Sequence, residues 1–227
     1  MKPSKFGLTA AAVFSMALAM SSGAIAGTSG GSSGPALDAS SLKLQVYSVM
    51  LSTSPMCSNP YTVFSSTSPT EVDFLAAPTL GSGNPPDGTY ECVIIKMSDV
   101  IKFTPSATAG LCTAGTEYVA DVCRTDNNAT TQAPDSSART ACTGTDAAPH
   151  SDPVYMYLTT NASAGTGGEV FLQPTAQNSD YGLHLSAPLV IAGKAKSKFI
   201  VNATGKVGSD SVSCGMNPPE FGFQKLP

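Results

Sequence analysis

The chain has no tryptophan, only two histidines, and a charged fraction of just 12%. Each shortage weighs against a class of function. Clefts that cleave sugars pair two carboxylates and commonly add aromatic platforms, whereas the 16 acidic residues here are scattered among turns without any indole. A base for neutral-pH catalysis has to come from a side chain that titrates there, and His150 and His184 are the two imidazoles on offer. With 12 Lys and Arg against 16 Asp and Glu, the basic footprint that a phosphate backbone selects is missing, so no nucleic-acid partner is expected. No two cysteines stand at zinc-site spacing and no C-x-x-C occurs, which argues against a zinc ribbon, a thioredoxin-like redox pair and a c-type haem attachment. A G-x-S-x-G elbow is also absent.

The remaining motifs are weak. "GSGNPPDG", Gly81 to Gly88, carries two prolines and leads into a strand pattern instead of a helix, so it reads as a turn and not a phosphate cradle. "DVCRTDNNATT" gathers Asp121, Asp126, Asn127 and Asn128 without EF-hand spacing, and reads as a polar hairpin tip. His150 and Asp152 in "APHSDP" supply two metal ligands, fewer than a site needs. His184 alternates with Leu183 and Leu185 and reads as a residue capping a strand face. No catalytic residue, cofactor or metal ligand is therefore assigned.

What is present begins with Lys2 and Lys5, followed by the 15-residue apolar stretch "FGLTAAAVFSMALAM" and the small-residue pattern "AIA" at Ala24 to Ala26. This order is that of a cleavable secretory signal helix over residues 1–26. The stretch is short of the roughly 20 apolar residues that span a bilayer. Gly27, not Cys, follows the cleavage point, so a lipid anchor is not expected, and no stable membrane span remains after signal removal. The expected location is extracytoplasmic: secreted, on the cell surface or periplasmic in a Gram-negative bacterium. Loss of both signal lysines takes the formal charge from −4 to −6.

Cys57, Cys92, Cys112, Cys123, Cys142 and Cys214 all lie in the exported part, and an even count in an exported chain predicts a disulfide framework. Three of them fall between about residues 106 and 152, a stretch dominated by Thr, Ala, Asp, Asn and Ser in which only "EYVADVC" looks like a strand. Three cysteines cannot all pair among themselves, so in the fully oxidised chain one or three bridges tie this insertion to Cys57, Cys92 or Cys214. Fifteen connectivities are open for six cysteines. For Cys92 the nearer partner is Cys57, and a cysteine of the insertion is the alternative.

The rest of the chain alternates with period two. After the flexible Gly/Ser leader at 27–40, "LKLQVYSVML" places Leu42, Leu44, Val46, Ser48 and Met50 on one face and Lys43, Gln45, Tyr47, Val49 and Leu51 on the other. Short strands are predicted at "TVF" and "EVDFL", and later at "VYMYLTT", "GEVFLQP", "LHLSAPLVIAG", "SKFIVNATGKV" and "EFGF". In "GTYECVIIKMSDVIKF", Val93, Ile95 and Met97 form one face and Tyr90, Cys92 and Ile94 the other, so neither is polar. Something has to cover the second face: either a flap of the chain held by a Cys92 bridge, or a partner molecule. The predicted fold is all-β, an antiparallel β-sandwich over residues 41–227 with a disulfide-stapled irregular insertion at about 106–152.

Over residues 40–104, "LKLQVYSVML" and "VDFLAAPTLGSGNPPDGTYECVIIKMSD", together with the closing "FIVNATGKV", resemble secreted bacterial prealbumin-like or Ig-like β-sandwich domains of unknown function. The resemblance implies an extracellular sandwich and supplies no catalytic residues. The chain departs from that pattern by lacking a lipid-accepting cysteine and by carrying the cysteine-bearing insertion. The expected function is a non-enzymatic secreted or surface module with a structural, adhesive or interaction role and a protein or glycan partner. The alternatives are a periplasmic binding protein for a small ligand or metal, with the insertion as its lid, and a hydrolase using His150 or His184.

Overall fold

A strand of 14 residues extends roughly 45 Å, longer than one small sheet requires, and β1 (Ala39–Ser52) uses that length to serve two sets of neighbours. In the computed structural model, which describes residues 36–76, 85–121, 130–141, 153–162, 169–178, 181–193, 197–209 and 213–225, the C-terminal half of β1 pairs antiparallel with β2 (Tyr61–Ser65) on one edge and with β5 (Cys92–Ser98) on the other. Its N-terminal half pairs in the same way with β3 (Glu71–Asp73) and β6 (Val100–Pro105). Only Asp99 separates β5 from β6, so the two are halves of one long strand lying along one edge of β1. At their joint Val100 N donates to Ser98 Oγ at 3.1 Å, a local bond that turns the backbone out of the ladder. The predicted signal peptide and most of the leader lie outside the described residues, as do Cys123, Cys142 and His150.

Beyond β5, the sheet continues with β10 (Pro153–Thr159), antiparallel, and β11 (Leu183–His184), parallel; beyond β6 it continues with β7 (Tyr118–Asp121). The order β11-β10-β5-β1-β6-β7, with β2 and β3 on β1, makes one eight-stranded sheet. Four antiparallel pairs accompany it: β4 (Gly88–Tyr90) with β12 (Leu189–Ile191), β8 (Thr130–Gln132) with β9 (Arg139–Ala141), β13 (Ser197–Asn202) with β16 (Glu220–Lys225), and β14 (Val207–Ser209) with β15 (Cys214–Met216). Among the described residues the helical content is one 3-10 turn, Phe74–Ala76, and no helix is long and apolar enough to cross a membrane.

The principal core takes Val93, Ile95 and Met97 from β5 and Val154, Met156 and Leu158 from β10, packed with Leu189, Val207 and Phe221 from β12, β14 and β16 and with Leu185 just after β11. In β1 the expected alternation holds only as far as Val46. Leu42, Leu44 and Val46 enter this core, but Val49 and Leu51 enter it too, whereas Met50 turns to the opposite face. A bulge opposite β5 between Val46 and Ser48 absorbs one residue and so reverses the facing of everything after it.

A second correction concerns Tyr90. It does not share a face with Cys92 and Ile94, because Glu91 falls outside both β4 and β5 and breaks the register. Tyr90 belongs to the principal core and donates its hydroxyl to Pro86 O at 2.7 Å. "GEVFLQP" is not a strand either. Glu169 to Pro174 is turn and irregular chain whose Val170, Phe171 and Leu172 are nevertheless buried, so their apolar run records packing and not a ladder. The insertion is less irregular than its composition suggests: besides β7 it contributes β8 and β9, three residues each and too short to show a period.

Candidate functional site

The second face of β5 is covered by the chain itself. Cys92 and Ile94 are fully buried there with Cys57, Tyr157 and Met50, in a cluster separate from the principal core. One cover is the loop after β1, whose Cys57 is bridged to Cys92 with a Cα–Cα distance of 5.3 Å. The other is the β8–β9 hairpin of the insertion: Tyr155 N donates to Thr131 Oγ1 at 2.9 Å, and Tyr157 donates its hydroxyl to Gln132 O at 2.5 Å. Burial pushes the Tyr157 hydroxyl pKa well above the usual tyrosine range, so the group stays a donor.

The two covers are also joined to each other. Asn59 N donates to Asp135 Oδ2 at 2.9 Å, Asp135 N to Gln173 Oε1 at 2.8 Å, and Gln173 Nε2 to Met56 O at 3.0 Å. Three non-glycine residues with positive φ gather in this cover: Cys57 at 58°, Asn59 at 48° and Asp135 at 57°. Asn and Asp tolerate that region, but a cysteine there costs on the order of 1–2 kcal/mol, which the surrounding contacts offset. Thr159 Oγ1 adds one of those contacts, donating to Pro55 O at 2.5 Å. At the rim, Lys96 Nζ lies over the rings of Tyr155 and Tyr47, at 5.4 Å and 6.0 Å from their centroids.

The opposite side of the sheet encloses a small apolar cavity of about 30 Å³ within the principal core, bordered by Leu44, Met97, Ile101, Ala120, Met216 and Phe221 among others. Every lining side chain is aliphatic, thioether or aromatic, and a space of that size, far below the roughly 300 Å³ of a small-molecule pocket, belongs to the packing of the core. The Cys112–Cys214 bridge, Cα–Cα 4.9 Å, joins the β6–β7 loop to the first residue of β15.

The fold of that loop seats Cys112. Ala109 and Cys112 exchange backbone hydrogen bonds at 3.0 and 3.1 Å across a tight turn in which Gly110 has φ 58°. A Cβ on Gly110 would stand 2.0 Å from Ser209 Oγ, so the position needs glycine both for its φ and for its closeness to β14. Tyr118 stacks on Phe103 at 5.7 Å between centroids, donates its hydroxyl to Leu111 O at 3.0 Å and accepts from Thr113 N at 2.9 Å.

Where β1 pairs with β3 and β6, the sheet's outer face is polar. Lys43 and Lys102 alternate with Glu71 and Glu117: Lys43–Glu117 and Lys102–Glu71 meet at 2.7 and 2.5 Å, and the diagonals Lys43–Glu71 and Lys102–Glu117 at 3.9 and 4.0 Å. The hydrogen bond from Lys43, with its charge, holds the Glu117 carboxyl below its usual range, and the same bond raises Lys43. The sequence reading missed this quartet because Lys43, Glu71 and Lys102 come from three strands, and Glu117 from the residue just before β7, and no local pattern reveals their register.

Of the six predicted bridge cysteines, Cys57 pairs with Cys92 and Cys112 with Cys214, so one bridge leaves the insertion, as parity allows; Cys123 and Cys142 lie outside the described residues. So do His150, Asp152, Asp126, Asn127 and Asn128. His184 is half-buried in β11 with Nδ1 2.6 Å from Ala162 O, and since a carbonyl only accepts, Nδ1 carries the proton. Among the described residues no three His, Cys, Asp or Glu side chains are grouped to hold a metal.

Strands and bridges together define the class: an all-β, disulfide-bridged protein. Compared with known proteins, the chain matches no protein-family model, no curated relative and no solved structure.

Proposed function

We propose that this chain is a non-enzymatic extracytoplasmic module, a disulfide-braced β-sandwich with a structural, adhesive or interaction role. The observation that carries the reading is the Cys57–Cys92 bridge, both residues wholly buried, which locks the chain's own cover onto an apolar sheet face. Such a bridge persists in an oxidising compartment, in keeping with the export signal expected over residues 1–26. The likeness of residues 40–104 to secreted prealbumin-like or Ig-like domains belongs with this reading. The test is to express the full chain in a Gram-negative host and fractionate the cells. The expected product starts at Gly27, lies outside the cytoplasm, and has its cysteines in disulfides. A cytoplasmic protein with six reactive thiols would overturn the proposal.

A further inference from the structure

The lysines whose side chains are described fall into two sets. Lys43, Lys102 and Lys206 each meet a carboxylate, at 2.7, 2.5 and 3.2 Å. Lys96 meets none among the described residues and lies over two tyrosine rings instead. In a chain of formal charge −4, a lysine without a carboxylate is the exception.

Lys96 stands where the cover ends. Along the outer face of β5 it follows Cys92 and Ile94, both sealed, and is itself only half-buried. The neighbouring strands set a ring on either side of it. Tyr155 of β10 is directly opposite in the pairing, and the bulge between Val46 and Ser48 leaves Tyr47 beside it on β1. Both rings are half-buried, with centroids 5.4 Å and 6.0 Å from Nζ. The frame is fixed: Tyr155 N is held by Thr131 Oγ1 of the hairpin, and Tyr47 O accepts from Ser66 N at 2.7 Å.

We propose that the Tyr47–Lys96–Tyr155 face binds a saccharide bearing a single carboxylate, such as the acidic sugar that ends a glycan. This names the partner of the interaction module proposed above and rests on that reading. The ammonium takes the carboxylate in a charge-assisted hydrogen bond. The phenols offer apolar ring surface to the sugar's C–H groups and hydroxyls to its hydroxyls. One cation suits one carboxylate, and a polyanion is repelled by the net negative charge of the chain. An acidic peptide carries its carboxylate on a flexible side chain that has to be ordered on binding, so it is the weaker fit.

The experiment titrates the purified, oxidised protein with a sialylated trisaccharide and with a disaccharide holding one uronate, followed by saturation-transfer NMR. The methyl ester of each sugar and a capped tripeptide with one glutamate serve as comparisons. The expected result is saturable binding of at least one acid, with its ester, the tripeptide and the variant Lys96→Gln each at least about tenfold weaker, because a hydrogen bond to a charged group is lost or poorly placed. Lys96→Arg should keep the binding, and Lys102→Gln in the quartet should leave it unchanged. Tyr155→Leu should weaken it; since Tyr155 also packs on the second cluster, Lys96→Gln decides if that variant does not fold. Binding of neither acid, or binding that Lys96→Gln leaves intact, would overturn the site. Equal binding of the tripeptide would overturn the saccharide and point to an acidic peptide. Fractionation decides the location of the chain separately, so an exported protein that binds neither sugar loses this inference and keeps the module reading.

Discussion

The two halves of the eight-stranded sheet solve different problems with one central strand. Around the C-terminal half of β1, β5 and β10 are apolar on both faces, and the second face is sealed by a disulfide, a loop and a hairpin from the insertion. Around its N-terminal half, β3, β6 and β7 bury one face and give the other to water beneath a Lys/Glu quartet. The difference locates the structural demand: a strand with two apolar faces is stable only under a cover, while a strand with one needs only polar side chains outside. The covered half should therefore be costly to disturb and the wet half cheap.

The largest effect expected is from Cys57→Ala with Cys92→Ala, which releases the cover: a loss of about 2–5 kcal/mol in denaturant unfolding. Ile94→Ala, beneath that cover, should cost about 2–5 kcal/mol as well, by lost transfer and the cavity left behind. If Lys102→Ala on the wet half cost as much, the comparison between the halves would collapse.

Tyr157→Phe should cost about 1–3 kcal/mol, since the Gln132 carbonyl loses its partner. It also carries a pH signature. The folded state raises the Tyr157 pKa above its ordinary value near 10, so the stability this contributes is complete below that pH and declines as pH rises past it. Melting temperatures measured from pH 8 to 11 should fall steeply at the alkaline end in the unaltered protein and less so in Tyr157→Phe.

The smallest effect belongs to the quartet. A double-mutant cycle on Lys102 and Glu71 should give a coupling of about 0.2–1 kcal/mol that fades in about 1 M salt, as for other half-exposed pairs. Glu117 adds an acid limb of the same modest size. Its folded pKa is lowered, so its contribution is present above the ordinary value of 4.5 and lost as pH falls below it, which acid titration of Glu117→Gln against the unaltered chain will show.

Much of this comparison was legible in advance. The two apolar faces of Cys92–Met97 demanded a cover, and the parity of the cysteines demanded a bridge leaving the insertion; the chain supplies both, through Cys57–Cys92 and Cys112–Cys214. The small apolar cavity in the core was not legible. Ile101, Ala120, Met216 and Phe221 are far apart in sequence and read individually as ordinary core residues, and no local pattern announces that they line one space.

Alone, the amino-acid order determined what is local: where residues alternate and the chain extends, where Gly, Pro and Asn interrupt it, and that Cys92 and Ile94 would not face water. Tertiary structure decided what depends on distant neighbours. It chose the phase of β1 beyond the bulge at Val46 to Ser48, the partner of each bridged cysteine, and the use of Thr131 and Gln132 to close over Tyr157. The physical reason is that period two constrains only a strand and its own two faces, whereas register, pairing and cover are set by contacts whose partners may stand a hundred residues away.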